Sequence, residues 1–266
     1  MTESSDFGID VERGADGVAW LVLRNPMRLN ALRVEMWQAI PDAIAALAAD
    51  ASVRVVVMRG HGTQAFASGA DISEFRTQRG DAASATAYEA TTARAFDALL
   101  ALEKPLVAMI HGVCIGGGLA VAACADLRIA ADDLRIALPA ARLGLGYHQS
   151  GVERLVQIVG PSAAAELFFT ARTYTADEAL RVGLVNQTVA KVDLETFTAR
   201  YTDTIAANAP LTLRAAKRAI AESQRAPAER DPAAVARLIA ACFESADYAE
   251  GVRAFLEKRP PRFHGA

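Results

Sequence analysis

Two glycine-bearing stretches hold the backbone groups best placed for chemistry. One is Ser68-Gly69-Ala70-Asp71; the other is Gly116-Gly117-Gly118 within HGVCIGGGLAVAAC. The second follows a β-branched run and opens a helix, and the first free N–H groups of a new helix favour an anion. Glycines without Cβ let a ligand approach the backbone closely. If the two loops converge, Ala70 N–H and Gly117 N–H could grip one carbonyl oxygen, and a single donor aimed at a developing oxyanion contributes about 3–4 kcal/mol. The plain alternative is a tight strand-to-helix junction built from small residues. The spacing matches neither GxGxxG nor GxxxxGK[ST], so a dinucleotide fingerprint and a phosphate loop are both excluded.

His148, in GLGYHQSG, is the first side chain able to carry a proton near neutrality. A loop histidine without function is the competing reading. Tyr147 and Gln149 flank it and could hold water or substrate. Glu153 reads as a partner for Arg154 or a helix cap, His111 as a strand-end histidine bonded to backbone, and Asp126 as an arginine or backbone partner. Glu74 and Glu89 could reach the same side of the molecule from a helix. The four histidines show no metal-ligand spacing, and Cys114 has no neighbour that would activate it.

These groups require a scaffold of alternating strands and helices. Val18–Arg24, Val53–Arg59, Pro105–Ile110 and Leu127–Ala131 read as buried strands. Met36, Ile40, Ile44 and Leu47 share one helical face. Ala65–Ile72 reads as a loop leading into a helix, and residues 77–86 as a mobile surface segment or a helix start. Tyr88–Leu100 and Leu119–Cys124 read as helices, with Gly112–Gly118 a loop between strand and helix. Helical segments dominate from Pro161 onward. Thr175 with Glu178 matches a capping box, and Gly183 a helix stop. Further helices fit 193–208, 211–223, 231–244 and 247–257. This alternation is an α/β fold, with a core over residues 1–195 and a helical region over 196–266.

Composition narrows the function classes. The 266 residues are 52% hydrophobic and 22% charged, enough apolar material for a sizeable core. A net charge of −3 gives no overall basic surface for nucleic acid or an anionic membrane. No apolar run is long enough to span a bilayer, and the first ten residues carry no signal stretch, so a soluble cytoplasmic protein is expected. Three widely spaced cysteines form no disulfide framework.

In combination, these stretches carry a family likeness. FASGADI, then KPLVAMIHGVCIGGG, then ACADLRIA closely resemble the enoyl-CoA hydratase/isomerase (crotonase) family. RLNAL at 28–32, FTARTYTADEALRVGLVNQTV at 169–189 and GVRAFLEKRPPRF at 251–263 extend the resemblance over nearly the whole chain. It implies a crotonase-like (ClpP/crotonase) spiral of ββα units with a C-terminal helical trimerisation region. It also implies homotrimers or homohexamers and an acyl-CoA thioester as substrate, coenzyme A being part of that substrate rather than a cofactor. Carried over residue by residue, Ala70 and Gly117 look like oxyanion-hole donors. Asp71, Ile72 and Ser73 lie where the family lines its CoA site. Arg28 and Ala31 look like CoA contacts from the early loop, and Phe255 and Lys258 like C-terminal contacts, often made from a neighbouring subunit. No metal is implied.

The chain departs from the pattern where hydratases do their acid–base work. The glutamate expected two residues after the glycine triplet is Ala120, and the one expected after a proline is Ala140. A methyl group can neither hold water nor move a proton. His148 stands where dienoyl-CoA isomerase-like and dehalogenase-like members carry an aspartate. Three readings stay open: an atypical hydratase/isomerase-like enzyme that stabilises an enolate, a divergent isomerase or hydrolase using His148, and a non-catalytic acyl-CoA binder.

Overall fold

A computed structural model describes residues 6–14, 17–74 and 81–266. Its main sheet has six strands in the order β1 (Gly8–Arg13), β2 (Val18–Arg24), β3 (Val55–Gly60), β5 (Leu106–Ile110), β7 (Leu127–Ala131) and β10 (Gln187–Val189). β1 pairs antiparallel with β2, and the remaining pairings are parallel. Because side chains alternate across a strand, β3 serves two cores. Val56 and Met58 face a larger cluster that includes α1 (Val34–Ala49), through Met36, Trp37, Ile40, Ile44 and Leu47. Val55 and Val57 face the other side, where Leu194 and Ala206 of α6 (Leu194–Ala206) cover them. Burial on both faces is why these strands read as continuous apolar runs.

A second sheet holds β4 (Ala65–Ala67), β6 (Val113–Ile115), β8 (Arg135–Ala137) and β9 (Tyr174–Thr175). Here the structure corrects the sequence reading. Ala65–Ala67 is not loop but a buried strand, and Val113–Ile115 is a strand inside the expected glycine loop. Three-residue strands are too short for periodicity to reveal; they exist because each pairs with a neighbour distant in sequence.

The other helices are α2 (Ala82–Ala101), α3 (Gly117–Ala123), α4 (Gln149–Thr170), α5 (Ala176–Arg181), α7 (Pro210–Ser223), α8 (Pro232–Glu244) and α9 (Ala246–Leu256). α4 begins well before Pro161, from which helical segments were expected to dominate, and breaks at Gly160, whose φ of +76° no helix accommodates. The capping box at the head of α5 is present in full, with Thr175 and Glu178 each capping the other's backbone. Of the segment expected to be mobile or helical, 77–80 lies outside the described residues, and α2 starts at Ala82. Among the described residues, no helix is long and apolar enough to cross a membrane.

Candidate active site

β4 and β6 are adjacent parallel strands, with Ala65 opposite Val113 and Ala67 opposite Cys114. Parallel neighbours end at the same sheet edge, so the chains leaving them emerge side by side. One gives Ser68-Gly69-Ala70, the other Gly116-Gly117. The two glycine loops therefore meet. A Cβ built on Gly117 would stand 3.3 Å from Ala70 N, and one built on Gly69 would stand 3.7 Å from Gly117 N. A Cβ at Gly118 would overlap Ala67 O and lie 2.9 Å from Ala67 Cβ, so only glycine allows this approach.

Neither amide is used by the pairing around it. Leu32 forms a parallel bridge with Ala70, in which Leu32 N–H donates to Gly69 O at 2.7 Å and Asp71 N–H donates to Leu32 O at 3.0 Å. That pairing uses the groups on either side of Ala70 and points Ala70 N–H away from the bridge. Gly117 is the first residue of α3, where the N–H has no intrahelical acceptor. Beneath them lies Trp37, whose ring edge would be 3.3 Å from a Gly117 Cβ and which packs edge-on against Phe96 of α2.

The early loop is sewn to the same edge. Ser68 N–H donates to Leu29 O and Ser68 Oγ to Arg28 O. Arg28 Nη1 reaches Asp71 Oδ1 at 3.5 Å, leaving most of an exposed guanidinium open. Leu29 and Asn30 both take left-handed backbone conformations, with φ of 51° and 56°. Asn30, overlooked in the sequence, anchors the turn. Its buried side chain accepts from Asn25 N–H and donates to His61 O and Ala65 O. An asparagine inside RLNAL with its readiness for left-handed backbone was the available signal. Ala31 is buried beside it.

Asp71 is buried and accepts from Ser73 N–H and Ser73 Oγ, capping the short turn Ile72–Glu74. Ser68, close by in sequence, serves the early loop instead. Ile72 is exposed beside this turn. Glu74 does not turn toward the glycine loops. It accepts from Arg33 Nε at 2.8 Å and from Val34 N–H at 3.0 Å, capping α1.

On the opposite flank, Gly116 N–H donates to Ala137 O, and the chain continues through a 3-10 segment, Pro139–Leu143, to His148 at the head of α4. Ala120 is partly exposed and Ala140 nearly buried. His148 Nε2 stands 3.2 Å from Glu89 Oε2 of α2, with side chains 67% and 51% exposed. Tyr147 turns inward against Phe168, and burial pushes its hydroxyl up to about 12. Gln149 donates to Glu153 at 3.0 Å, so Glu153 partners Gln149 and not Arg154. Arg154 instead donates to Ala123 O and Ala125 O at the end of α3. Asp126 pairs with Lys217 and accepts Leu106 N–H, a lysine and backbone partner.

Burial pushes the Cys114 thiol up and the Cys124 thiol up to about 12, which leaves neither as a nucleophile. His111 is held below its ordinary range, chiefly by burial. Among the described residues, no group of three or more metal-ligating side chains forms. Phe255 and Lys258 are not brought to the glycine loops within one chain. Phe255, 84% exposed, edges an apolar groove of about 690 Å³ between α7, α8 and α9, and Lys258 sits just past the end of α9 with φ +55°.

Comparison with known proteins agrees with this architecture. The family profile described as enoyl-CoA hydratase/isomerase matches residues 13–266. A crotonyl-CoA hydratase of Syntrophomonas wolfei is 34% identical over 246 residues, covering 92% of this chain and 94% of that protein. The crystal structure of an enoyl-CoA hydratase/carnithine racemase from Magnetospirillum magneticum superposes with a TM-score of 0.91 at 35% identity, over 97% of this chain and 96% of that one. An enoyl-CoA hydratase/isomerase family protein from Hyphomonas neptunium superposes equally well at 38% identity, over 96% of this chain and 97% of that one.

Proposed function

Since the chain belongs to the enoyl-CoA hydratase/isomerase family and has its α/β fold, we propose that it binds an acyl-CoA thioester with the carbonyl oxygen between Ala70 N–H and Gly117 N–H. The observation that carries this reading is the convergence of the two glycine loops, with Ala70 N 3.3 Å from where a Gly117 Cβ would stand. Polarising the thioester acidifies the neighbouring Cα–H, because the electron pair left behind spreads onto an oxygen already held by two donors.

The reaction is proton transfer on the acyl chain rather than hydration. Ala120 and Ala140 stand where the two hydratase glutamates are expected, and neither can activate water. Neutral His148 takes the Cα proton, the C–H electrons form the enolate, and the proton returns at Cα or, in a 3-enoyl chain, at Cγ. Return at Cγ shifts the double bond with no net gain or loss of atoms. Arg28 offers the CoA phosphates a cation, and Ala31, Asp71, Ile72 and Ser73 form the wall beside it. Phe255 and Lys258 reach CoA from a neighbouring copy, in a trimer or hexamer built through the helical region 196–266 around cores formed by 1–195. Coenzyme A enters as part of the substrate.

The test is solvent deuterium exchange at Cα of butyryl-CoA, followed by NMR, beside hydration of crotonyl-CoA. The account expects exchange above buffer, hydration no faster than buffer, and loss of exchange in His148→Ala with butyryl-CoA binding retained. Hydration well above buffer would overturn it. Tight binding in calorimetry with no turnover over a panel of thioesters would favour the second reading, a non-catalytic acyl-CoA binder, which the two alanines support.

A further inference from the structure

We propose that Glu89 is the positioning residue for His148. The inference rests on the reading of His148 as the proton carrier. Three observations and the chemistry of imidazole support it. His148 Nε2 faces Glu89 Oε2 at 3.2 Å. The two atoms stand at ion-pair distance without a formed hydrogen bond; a neutral imidazole has one donor and one acceptor nitrogen, so turning Nε2–H onto the carboxylate leaves Nδ1 as the free base. The nearer carboxylate in sequence, Glu153, does not compete, because it accepts from Gln149. The neighbouring Tyr147 is turned into the core against Phe168 and offers the imidazole no alternative.

The supports of the pair also lead back to the amides. α2, which carries Glu89, packs through Phe96 on Trp37, the ring lying under Gly117. α4, which His148 heads, is tied by Arg154 to the end of α3, the helix that Gly117 opens. A pair this exposed adds little to folding. Its consequence is orientation. One histidine tautomer is favoured, and the imidazolium formed on proton capture has a carboxylate beside it.

Two readouts on the full chain test this. The first is the 15N NMR of the His148 ring, assigned by comparison with His148→Ala. The neutral ring is expected to be protonated at Nε2 in the wild type and mixed in Glu89→Ala. The second is Cα exchange of butyryl-CoA. Glu89→Ala is expected to lower kcat about 30-fold with KM within about twofold, a fraction of the loss that full removal of an acid–base group causes. Glu89→Asp recovers part of it. Glu89→Gln, whose amide oxygen still accepts from Nε2–H, keeps the tautomer while lowering kcat about fivefold, since only the charge is lost.

Loss of exchange in His148→Ala with unchanged kcat in Glu89→Ala would overturn the role of Glu89 and leave that of His148 standing. Full exchange in His148→Ala, or none in the wild type, would overturn both. A wild-type ring protonated at Nδ1, or a raised KM at constant kcat in Glu89→Ala, would also overturn the positioning role. Should Glu89→Ala fail to fold, Glu89→Gln and the wild-type tautomer decide the matter.

Discussion

The two flanks of the candidate site are held by different forces. Ala70 and Gly117 are fixed by main chain: a parallel strand pair, the Leu32 bridge, and a glycine whose hydrogen lies where any Cβ would overlap Ala67 O. No side chain chooses their positions. His148 and Glu89 are two exposed side chains meeting between two helices, and positions 120 and 140 carry only methyl groups. One flank cannot change without disturbing the fold. The other can change at almost no cost in stability. A family can then keep one way of holding a thioester oxygen while altering how the proton moves.

This contrast predicts a gradient of stability effects. The largest is at Gly118. In Gly118→Ala the new methyl would meet Ala67 O and Ala67 Cβ, and the overpacking costs about 3 kcal/mol. Chemical denaturation reads the loss, and a midpoint equal to wild type would show that the main-chain flank is not rigid. Asn30→Ala comes next. It strands the buried Asn25 N–H and the carbonyls of His61 and Ala65, and puts alanine at a positive φ, at a cost of about 2 kcal/mol. Its signature is a lowered denaturation midpoint together with weaker butyryl-CoA binding, because the early loop loses its anchor.

A smaller change of opposite sign is expected at Lys258. It holds the left-handed position of a helix-ending motif, with Lys258 N–H on Phe255 O and Arg259 N–H on Ala254 O. Lys258→Gly relieves that conformation and stabilises by about 0.5–1 kcal/mol. Weaker CoA thioester affinity should accompany the gain, and a lysine held there with no effect on affinity would remove it from the binding surface. The smallest stability effect belongs to His148→Ala. An exposed ion pair predicts a shift within about 0.5 kcal/mol, so this variant separates turnover from folding cleanly.

The same contrast explains what could be read from the chain. β2, β3, β5 and β7 were legible because a strand buried on both faces writes a largely apolar run. The Thr175–Glu178 capping box was legible because its two partners lie three residues apart. β4 and β6 were not, since three residues carry no period and owe their conformation to pairing across the fold. Glu74 illustrates the same limit: as a sequence it was a candidate for the site, and as a structure it caps α1. The left-handed backbone of Asn30 has a local signal, but its partners His61 and Ala65 are remote in the chain, and the contact of Glu89 with His148 has no local pattern at all. The motif residues themselves, Ala70 and Gly117, stood out early because close backbone approach leaves glycine and alanine few substitutes.

A crystal structure of the protein with a non-hydrolysable acyl-CoA analogue tests the central claim most directly. The account predicts the analogue's carbonyl oxygen about 2.7–3.1 Å from both Ala70 N and Gly117 N, the geometry an oxyanion site requires. A carbonyl bound elsewhere, or one facing a carboxylate contributed to the vacant acid position by a neighbouring copy, would contradict it.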